Sequence, residues 1–313
     1  MNELDFERFL KNKFSFTRGQ GIGDDASVIY SEGTQQLITT DLLIENVHFR
    51  LRDIEMKELA LKAIAVNLSD IAAMGGIPHY FYLGLGFPKN LGIKELKQFF
   101  QGLKNGCQQW NLELAGGDFS KSSQLCISVT MVGEAEHPVY RQNAKDGDLI
   151  GITGQTGASA LGLKLLLSGK SIKPWSTRHQ KVVPCLQEGQ ILAKYANSMI
   201  DVSDGLVIDL KRILAASGKG GHLYYENLLI PRAMKRICRE YHLNEYELVL
   251  SGGEDYVLLF TISPENELQL RQEKISYRVI GEIQSKQDQL TITHNGKTIQ
   301  TENNGYDHFN MKS

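Results

Sequence analysis

The stretch DLIGITGQTGASALGLKLLLSG, residues 148–169, has the pattern of an apolar strand, a glycine-rich turn and an apolar helix. Residues 197–217, NSMIDVSDGLVIDLKRILAAS, repeat this order of strand, polar turn and helix. Strands that alternate with helices in this way are typical of α/β proteins. The second half of the chain is therefore predicted to be an α/β domain.

The first half also interleaves strand and helix patterns. The predicted strands span residues 36–44, 79–87, 112–120 and 125–135, and the predicted helices span 54–76 and 92–107. A polar, aperiodic segment with a proline, HPVYRQNAKDGD (137–148), follows them and has the composition of a domain boundary. We predict an N-terminal domain over residues 1–137 and a C-terminal domain over 138–313. Near the end, LTITHNGKTIQ predicts a hairpin that turns at Asn295-Gly296.

The composition of the chain excludes several classes of protein. The 313 residues are 42% hydrophobic and 22% charged, as in a soluble globular protein. A net charge of -2 gives no reason to expect nucleic acid as a partner, and no apolar run is long enough to span a bilayer. The N-terminus is too charged for a secretory signal, and the four cysteines are widely spaced without a CxxC pair. We expect a cytoplasmic protein without a zinc site or disulfides.

Six short motifs place acidic residues beside glycine, serine or threonine. They are GIGDD (21–25), TTD (39–41), NLSD (67–70), GGD (116–118), DVSDG (201–205) and SGGED (251–255). One such motif alone is most simply a turn or a helix cap. Magnesium, however, takes oxygen ligands from a few carboxylates together with substrate phosphates, and glycine lets a phosphate approach the backbone. Six motifs in one chain therefore favour a cation-dependent site for phosphoryl transfer.

The sequence lacks the common nucleotide-binding and hydrolase signatures. It has no GxxxxGK[ST] loop, no protein-kinase lysine and HRD set, no HExxH and no GxSxG. An ATP-dependent enzyme with this sequence would have to rely on aspartate and glycine.

Taken in order, the motifs GIGDDASVI, TTDLLIENVHF, KAIAVNLSDIAAMGG, GGDFS, IDVSDGLVIDL, SGGEDY and GYDHF closely resemble those of the thiamine-monophosphate kinases. They extend from about residue 19 to residue 309. The resemblance implies the two-domain fold of the aminoimidazole ribonucleotide synthetase superfamily, of class α/β (α+β), with a mixed N-terminal sheet. It implies transfer of a phosphoryl group from ATP to thiamine monophosphate in the cleft between the halves. A homodimer formed through the N-terminal sheets is also implied.

The resemblance also assigns residues. The implied ligands of several Mg²⁺ ions are Asp25, Thr39, Thr40, Asp41, Asp70, Asp118, Asp201 and Asp204, of which Asp41, Asp70, Asp118 and Asp204 are the expected catalytic group. The implied ATP contacts are Gly117, Asp118, Arg141 and Ser203. The implied substrate contacts are His48 and Glu254, together with Asn303, which stands where the family often has an aromatic residue. A monovalent cation is a further candidate cofactor.

Other interpretations of the same residues stay open at this stage. Asp24 is expected to support its turn or a metal-bound water, and Asp209 is interpreted as an ordinary helix acid. Without the resemblance, His48 would be a polar residue at a strand end and Arg141 a solvated linker residue. The chain could also be another ATP-using member of the superfamily. A selenophosphate synthetase is disfavoured because the first cysteine is Cys107. A catalytically inactive nucleotide- or thiamine-phosphate-binding protein is the other alternative.

Overall fold

The computed structural model describes residues 3–14, 16–285, 289–300 and 305–306, and these form two sheets, one from each half of the chain. The first sheet consists of β1 (Gly19–Gln20), β2 (Ser27–Ile29), β3 (Gln35–Ile44), β4 (Ile77–Phe87), β5 (Glu113–Lys121) and β6 (Cys126–Ala135). Its helices are α1 (Glu3–Lys13), α2 (Met56–Ala73) and α3 (Ile93–Trp110).

The second sheet consists of β7 (Leu149–Ile152), β8 (Ala196–Asp201), β9 (Gly220–Tyr224), β10 (Leu258–Ile262), β11 (Arg278–Gln284), β12 (Leu290–His294) and β13 (Lys297–Thr298). Its helices are α4 (Ala158–Leu167), α5 (Trp175–Gln180), α6 (Leu186–Leu192), α7 (Leu206–Ser217), α8 (Arg232–Glu240), α9 (Glu245–Ser251) and α10 (Pro264–Leu270), with a 3₁₀ turn at Tyr225–Asn227.

Both sheets are mixed. The first has the strand order β1-β2-β3-β6-β4-β5, in which only β4 and β5 are parallel. The second has the order β13-β12-β9-β11-β7-β10-β8, in which only β9 and β12 are parallel. The prediction of a two-domain α/β (α+β) architecture with a mixed N-terminal sheet is therefore confirmed. The segment between β6 and β7, which the sequence predicts as the boundary, has no helix or strand.

The predicted strands and helices of the first half are present, and one of them is shorter than predicted. The predicted strands 112–120 and 125–135 exist as β5 and β6, and β6 lies between β3 and β4. The helix predicted over 54–76 is shorter, and the chain leaves it at Gly75 in a left-handed conformation with φ 70°. The predicted hairpin is confirmed: Asn295 and Gly296 have φ of 50° and 76°, as a type I′ turn requires.

Helix α2 is central to the positioning of the site. The helix carries apolar side chains on nearly all of its sides, and Leu59, Ile64, Leu68 and Ile71 are fully buried. A helix of this kind belongs in a protein interior. It packs on the first sheet and also contacts α6 and β8 of the second half. Gly189 of α6 makes this approach possible, because a Cβ there would lie 2.2 Å from a backbone oxygen of α2. The two halves therefore meet along α2.

None of the helices within the described ranges is long and apolar enough to cross a membrane.

Candidate active site

One large cavity of about 1200 Å³ lies where the two halves meet. Eleven of the residues that the sequence assigns to the site line it. These are Asp25, Thr39, Thr40, Asp41, His48, Asp70, Arg141, Asp201, Ser203, Asp204 and Glu254. They come from loops and strands of the first half, from α2, and from the β8–α7 and α9–β10 turns of the second half. The fold thus gathers residues that are up to 229 positions apart, from 25 to 254, around one space.

Three carboxylates form the tightest group in this cavity. Asp25 precedes β2, Asp70 lies in the last turns of α2, and Asp201 ends β8. One oxygen from each lies within 4.8 Å of those of the other two. Hydroxyl groups orient two of them: Ser69 Oγ donates to Asp201 at 2.6 Å, and Thr39 Oγ1 donates to Asp70. Oxygen ligands at this spacing can bind one hard divalent cation in common.

Burial and mutual repulsion raise the pKa values of several carboxylates in and beside this group. Burial, and then the neighbouring carboxylates Asp41 and Asp201, hold the pKa of Asp70 well above its usual value. Burial is also the main cause that raises the pKa of Asp201, followed by the charge of Asp25. Burial, together with Asp204 and Asp25, raises the pKa of Asp41 to about 6. Like charges at this range oppose ionisation, so a cation bound between these carboxylates would favour the ionised form of each.

Arg141 supplies one positive charge from the protein. Its Nη2 donates to Asp25 Oδ1 at 2.7 Å, so this linker residue is not solvated but reaches into the cavity. The other Asp25 oxygen, Oδ2, is buried without a hydrogen-bond partner among the described residues. Asp24 accepts the backbone N–H of Arg141 at 2.7 Å and also a bond from Gln20. Asp24 therefore fastens the glycine-rich turn to the linker between the halves.

Asp204 is held by a second ion-pair network. Arg212 Nη1 lies 2.7 Å from Asp204 Oδ2 and 2.6 Å from Asp209 Oδ1. The other oxygen of Asp209 accepts the backbone N–H groups of Asp204 and Gly205, both at 3.1 Å. Asp209 is fully buried, and burial raises its pKa to about 7 although Arg212 lowers it. The interpretation of Asp209 as an ordinary helix acid is therefore wrong: it caps the turn that presents Asp204.

Glu254 lies at another part of the cavity wall and is paired on both oxygens. Lys62 Nζ is 3.0 Å from Oε1, and His179 Nδ1 is 3.0 Å from Oε2. Burial favours the neutral acid, but Lys62 and His179 outweigh it and lower the pKa of Glu254 to about 2. Its neighbour Asp255 turns away and accepts the N–H groups of Gly157 and Ser159 at 2.5 and 3.0 Å, at the start of α4.

His48 lines the same cavity. Its Nδ1 accepts the backbone N–H of Ile44 at 3.0 Å, which fixes the ring at the end of β3. Apolar side chains lie on this cavity wall as well, among them Phe49, Leu163 and Leu167. The cavity therefore combines an acidic region with a partly apolar one, as a ligand with a charged end and a ring system requires.

Two of the predicted site residues lie away from the cavity. Gly117 and Asp118 belong to β5, the edge strand, and do not line the cavity. Three strand spacings, about 14 Å, separate β5 from β3. The strand register aligns Asp118 with Gly84 and, across the sheet, with Leu42. Because neighbouring residues of a strand point to opposite faces, Asp118 lies on the face opposite Asp41. Within one chain, these residues are not brought to the cluster. Asn303 lies outside the described residues.

Some residues of the cavity wall were not predicted from sequence. Lys62 and His179 are the clearest, since both contact Glu254. For Lys62 a signal exists: it interrupts the apolar run LALKAIAV of a helix that is otherwise buried on that side. His179 has no such signal, because its role depends on a contact with a residue 75 positions away.

Known proteins are similar to this chain over nearly its whole length. Residues 23–135 match the family described as AIR synthase related protein, N-terminal domain, and residues 145–292 match its C-terminal domain. The thiamine-monophosphate kinase of Buchnera aphidicola subsp. Schizaphis graminum is 37% identical over 98% of this chain and 99% of its own. That of Aquifex aeolicus is 38% identical over 77% of this chain and 80% of its own. The solved structure of AaThiL complexed with AMPPCP and TMP superposes with a TM-score of 0.88, at 33% identity, over 98% of this chain and 97% of that one.

Proposed function

The chain belongs to the thiamine-monophosphate kinase family, and from this premise we propose that it transfers the γ-phosphoryl group of ATP to thiamine monophosphate. The products are thiamine diphosphate and ADP. The observation that carries the proposal is the group of Asp25, Asp70 and Asp201, which faces one cavity at the junction of both halves. A site of this kind suits the binding of cations and phosphates, and the family identifies the phosphate acceptor.

The acceptor needs no general base. Thiamine monophosphate is a phosphate monoester whose second pKa is roughly 6, so its attacking oxygen is largely ionised at neutral pH. The protein must then hold two phosphate groups in line and offset their repulsion. A cavity rich in carboxylates and hydroxyls, with Arg141 as a fork-shaped donor, fits that task.

The residues present fit several Mg²⁺ ions. Two observations support this assignment: burial and the neighbouring carboxylates raise the pKa values of Asp41, Asp70 and Asp201, and Asp25 Oδ2 has no partner among the described residues. A cation bound here would offset the first and give the second a partner. The proposed ligands are Asp25, Thr39, Thr40, Asp41, Asp70, Asp118, Asp201 and Asp204. Bound Mg²⁺ would neutralise the negative charge of the phosphates as the transfer proceeds.

The two substrates are assigned to different parts of the site. Gly117, Asp118, Arg141 and Ser203 are proposed to contact ATP. His48 and Glu254 are proposed to contact the thiamine part of the acceptor, beside the apolar wall of the cavity. Asn303 remains a proposed substrate contact from the resemblance alone.

We also propose a homodimer that forms through the outer face of the first sheet. Leu42 and Tyr82 are about half exposed on this face, at 51% and 46%, and exposed apolar surface of this kind is typical of interfaces. Asp118 lies on the same face, so it would be close to this interface. Light scattering would detect a species of twice 35.0 kDa. A monomer at working concentration would contradict this part of the proposal.

The domain boundary at residues 137/138 and a cytoplasmic location remain proposals as well. The match of the two family domains to 23–135 and 145–292 supports the boundary.

The proposed activity is tested by chromatography of the purified protein with ATP, Mg²⁺ and thiamine monophosphate, with free thiamine in parallel. Thiamine diphosphate formed from the monophosphate and not from thiamine is the expected result. ATP binding without product would indicate another acceptor, as in other ATP-using members of the superfamily. Tight binding of both ligands without turnover would indicate an inactive binding protein.

A further inference from the structure

Lys62 is an unusual residue for the middle of a buried helix. Only 2% of its surface is exposed, and its ammonium group donates to Glu254 Oε1 at 3.0 Å and to the carbonyl of His179 at 3.2 Å. Lysine is almost never buried to this degree unless it is paired, because an isolated buried charge is costly. Replacing the lysine by an apolar residue would suit the helix better, so its presence needs a reason outside packing.

Both oxygens of Glu254 are held, and from different halves of the chain. Lys62 contacts Oε1 from α2 of the first half, while His179 contacts Oε2 from α5 of the second. Ser159 Oγ lies 3.1 Å from the same His179 nitrogen and so helps to fix the ring. The carboxylate therefore has one orientation, which is set by two helices from different halves of the chain.

The backbone at Glu254 is held as tightly as its side chain. Glu254 has φ 62°, in the left-handed region that is unfavourable for a residue other than glycine. Its N–H donates to Ser203 O at 2.6 Å, and the adjacent Asp255 is bonded to the start of α4. A strained residue persists only where its surroundings impose the conformation. Here they impose an orientation that directs a carboxylate into the cavity.

We propose that Lys62 and His179 are positioning residues that hold Glu254 as a fixed, ionised hydrogen-bond acceptor for the amino-bearing ring of the acceptor. This proposal rests on the proposed function for the identity of that ring. An ionised carboxylate can only accept hydrogen bonds, so the ligand group that meets it must be a donor. The amino group of the thiamine pyrimidine is such a donor.

The central test is Lys62→Met, which keeps the volume of the side chain and removes its charge. Its matched control is Lys57→Met on the exposed side of the same helix. We expect Lys62→Met to raise KM for thiamine monophosphate about tenfold, as loss of an aligned hydrogen bond to an uncharged donor does, with kcat and KM for ATP within about threefold. His179→Leu should act in the same direction, and His179→Asn, whose amide can replace Nδ1, should act less.

A double-mutant cycle asks whether Lys62 acts through Glu254. In a Glu254→Gln background, Lys62→Met should have little further effect on KM, because the interaction that it supports is already lost. Equal effects of Lys62→Met in both backgrounds would overturn the proposal. So would a fall in kcat at unchanged KM, which would indicate a general structural defect.

Hydrogen exchange provides a readout that does not depend on turnover. Exchange of the segment 248–257 should be faster in Lys62→Met and His179→Leu than in the wild type, and unchanged in Lys57→Met. Unchanged exchange in the first two variants would refute the positioning role even if the protein proved inactive. Absence of product from the wild type, with faster exchange in the variants, would instead refute the proposed function alone.

Discussion

Replacement of Asp41 by asparagine should stabilise the metal-free protein at neutral pH while it abolishes activity. Asp41 projects from β3 into the cavity, and its raised pKa arises from burial and from the charges of Asp204 and Asp25. No described donor offers a hydrogen bond to its side chain, so the amide loses no favourable contact in the metal-free state. The carboxylate is thus a source of instability in the metal-free protein at neutral pH, and either protonation or a bound cation would relieve it.

The size of the effect follows from the pKa. A rise from 3.8 to about 6 corresponds to about 3 kcal/mol at 1.36 kcal/mol for each pKa unit. Water that reaches Asp41 from the cavity screens this to about 1–2 kcal/mol. Because the folded state binds the proton more tightly, stability falls as the pH rises from about 4 to about 6, and the full loss is present above that range. Asp41→Asn should therefore gain stability at pH 8 and none at pH 4.

Thermal unfolding of the metal-free protein at both pH values provides the measurement. A gain of 1–2 kcal/mol should raise the unfolding midpoint by roughly 2–6 °C at pH 8. Added Mg²⁺ should raise the wild-type midpoint more than that of the variant, since the variant lacks one of the proposed ligands. Asp146→Asn, at an exposed linker position, is the control. An Asp41→Asn variant no more stable than the wild type at pH 8 would refute the reasoning.

Three further predictions concern other parts of the site. Asp70→Asn should lower turnover at least about 1000-fold with the fold retained, and wild-type-like turnover would remove Asp70 from the cation site. Asp209→Ala should lower the free energy of unfolding by about 2–4 kcal/mol in denaturant titrations, because Arg212 and two N–H groups lose their partner; a loss below 1 kcal/mol would contradict the capping role. The wild type should use oxythiamine monophosphate, whose ring has an oxo group in place of the amino group, at least about 100-fold less efficiently. Glu254→Gln should reduce that discrimination, since its amide can donate; unchanged discrimination would separate Glu254 from the pyrimidine.

The acidic part of the site was predictable because its signal is local. Each aspartate stands beside glycine, serine or threonine in a short turn, and Asp25, Asp70 and Asp201 prove to be neighbours in space. The motif alone does not determine where a turn lies in the sheet. The GGD motif is on an edge strand because β6 inserts between β3 and β4, and such pairing depends on the whole sheet.

The basic residues that pair with the acidic groups of the site were harder to predict from the sequence. Lys62 and His179 are far from Glu254 along the chain, and Arg212 was not singled out from the sequence. A buried ion pair leaves no periodic pattern, because each member looks like a single exception within its own element. Asp209 was misinterpreted for the same reason: its burial depends on how α7 packs, and its own sequence neighbourhood is that of a helix start.

Helix α2 also sets a length. Lys62 and Asp70 are eight residues apart, and eight residues of a rigid α-helix extend for about 12 Å. Lys62 thus supports the proposed contact with the ring, and Asp70 is the proposed cation ligand at the phosphate end. If the proposed function is correct, the helix fixes the distance between the groups that contact the two ends of the acceptor. Removal of a single residue between Lys62 and Asp70 would rotate one of them by about 100° relative to the other. Substitutions at the few exposed positions of this helix should therefore be tolerated, whereas a change in the number of residues between Lys62 and Asp70 should destroy the proposed site.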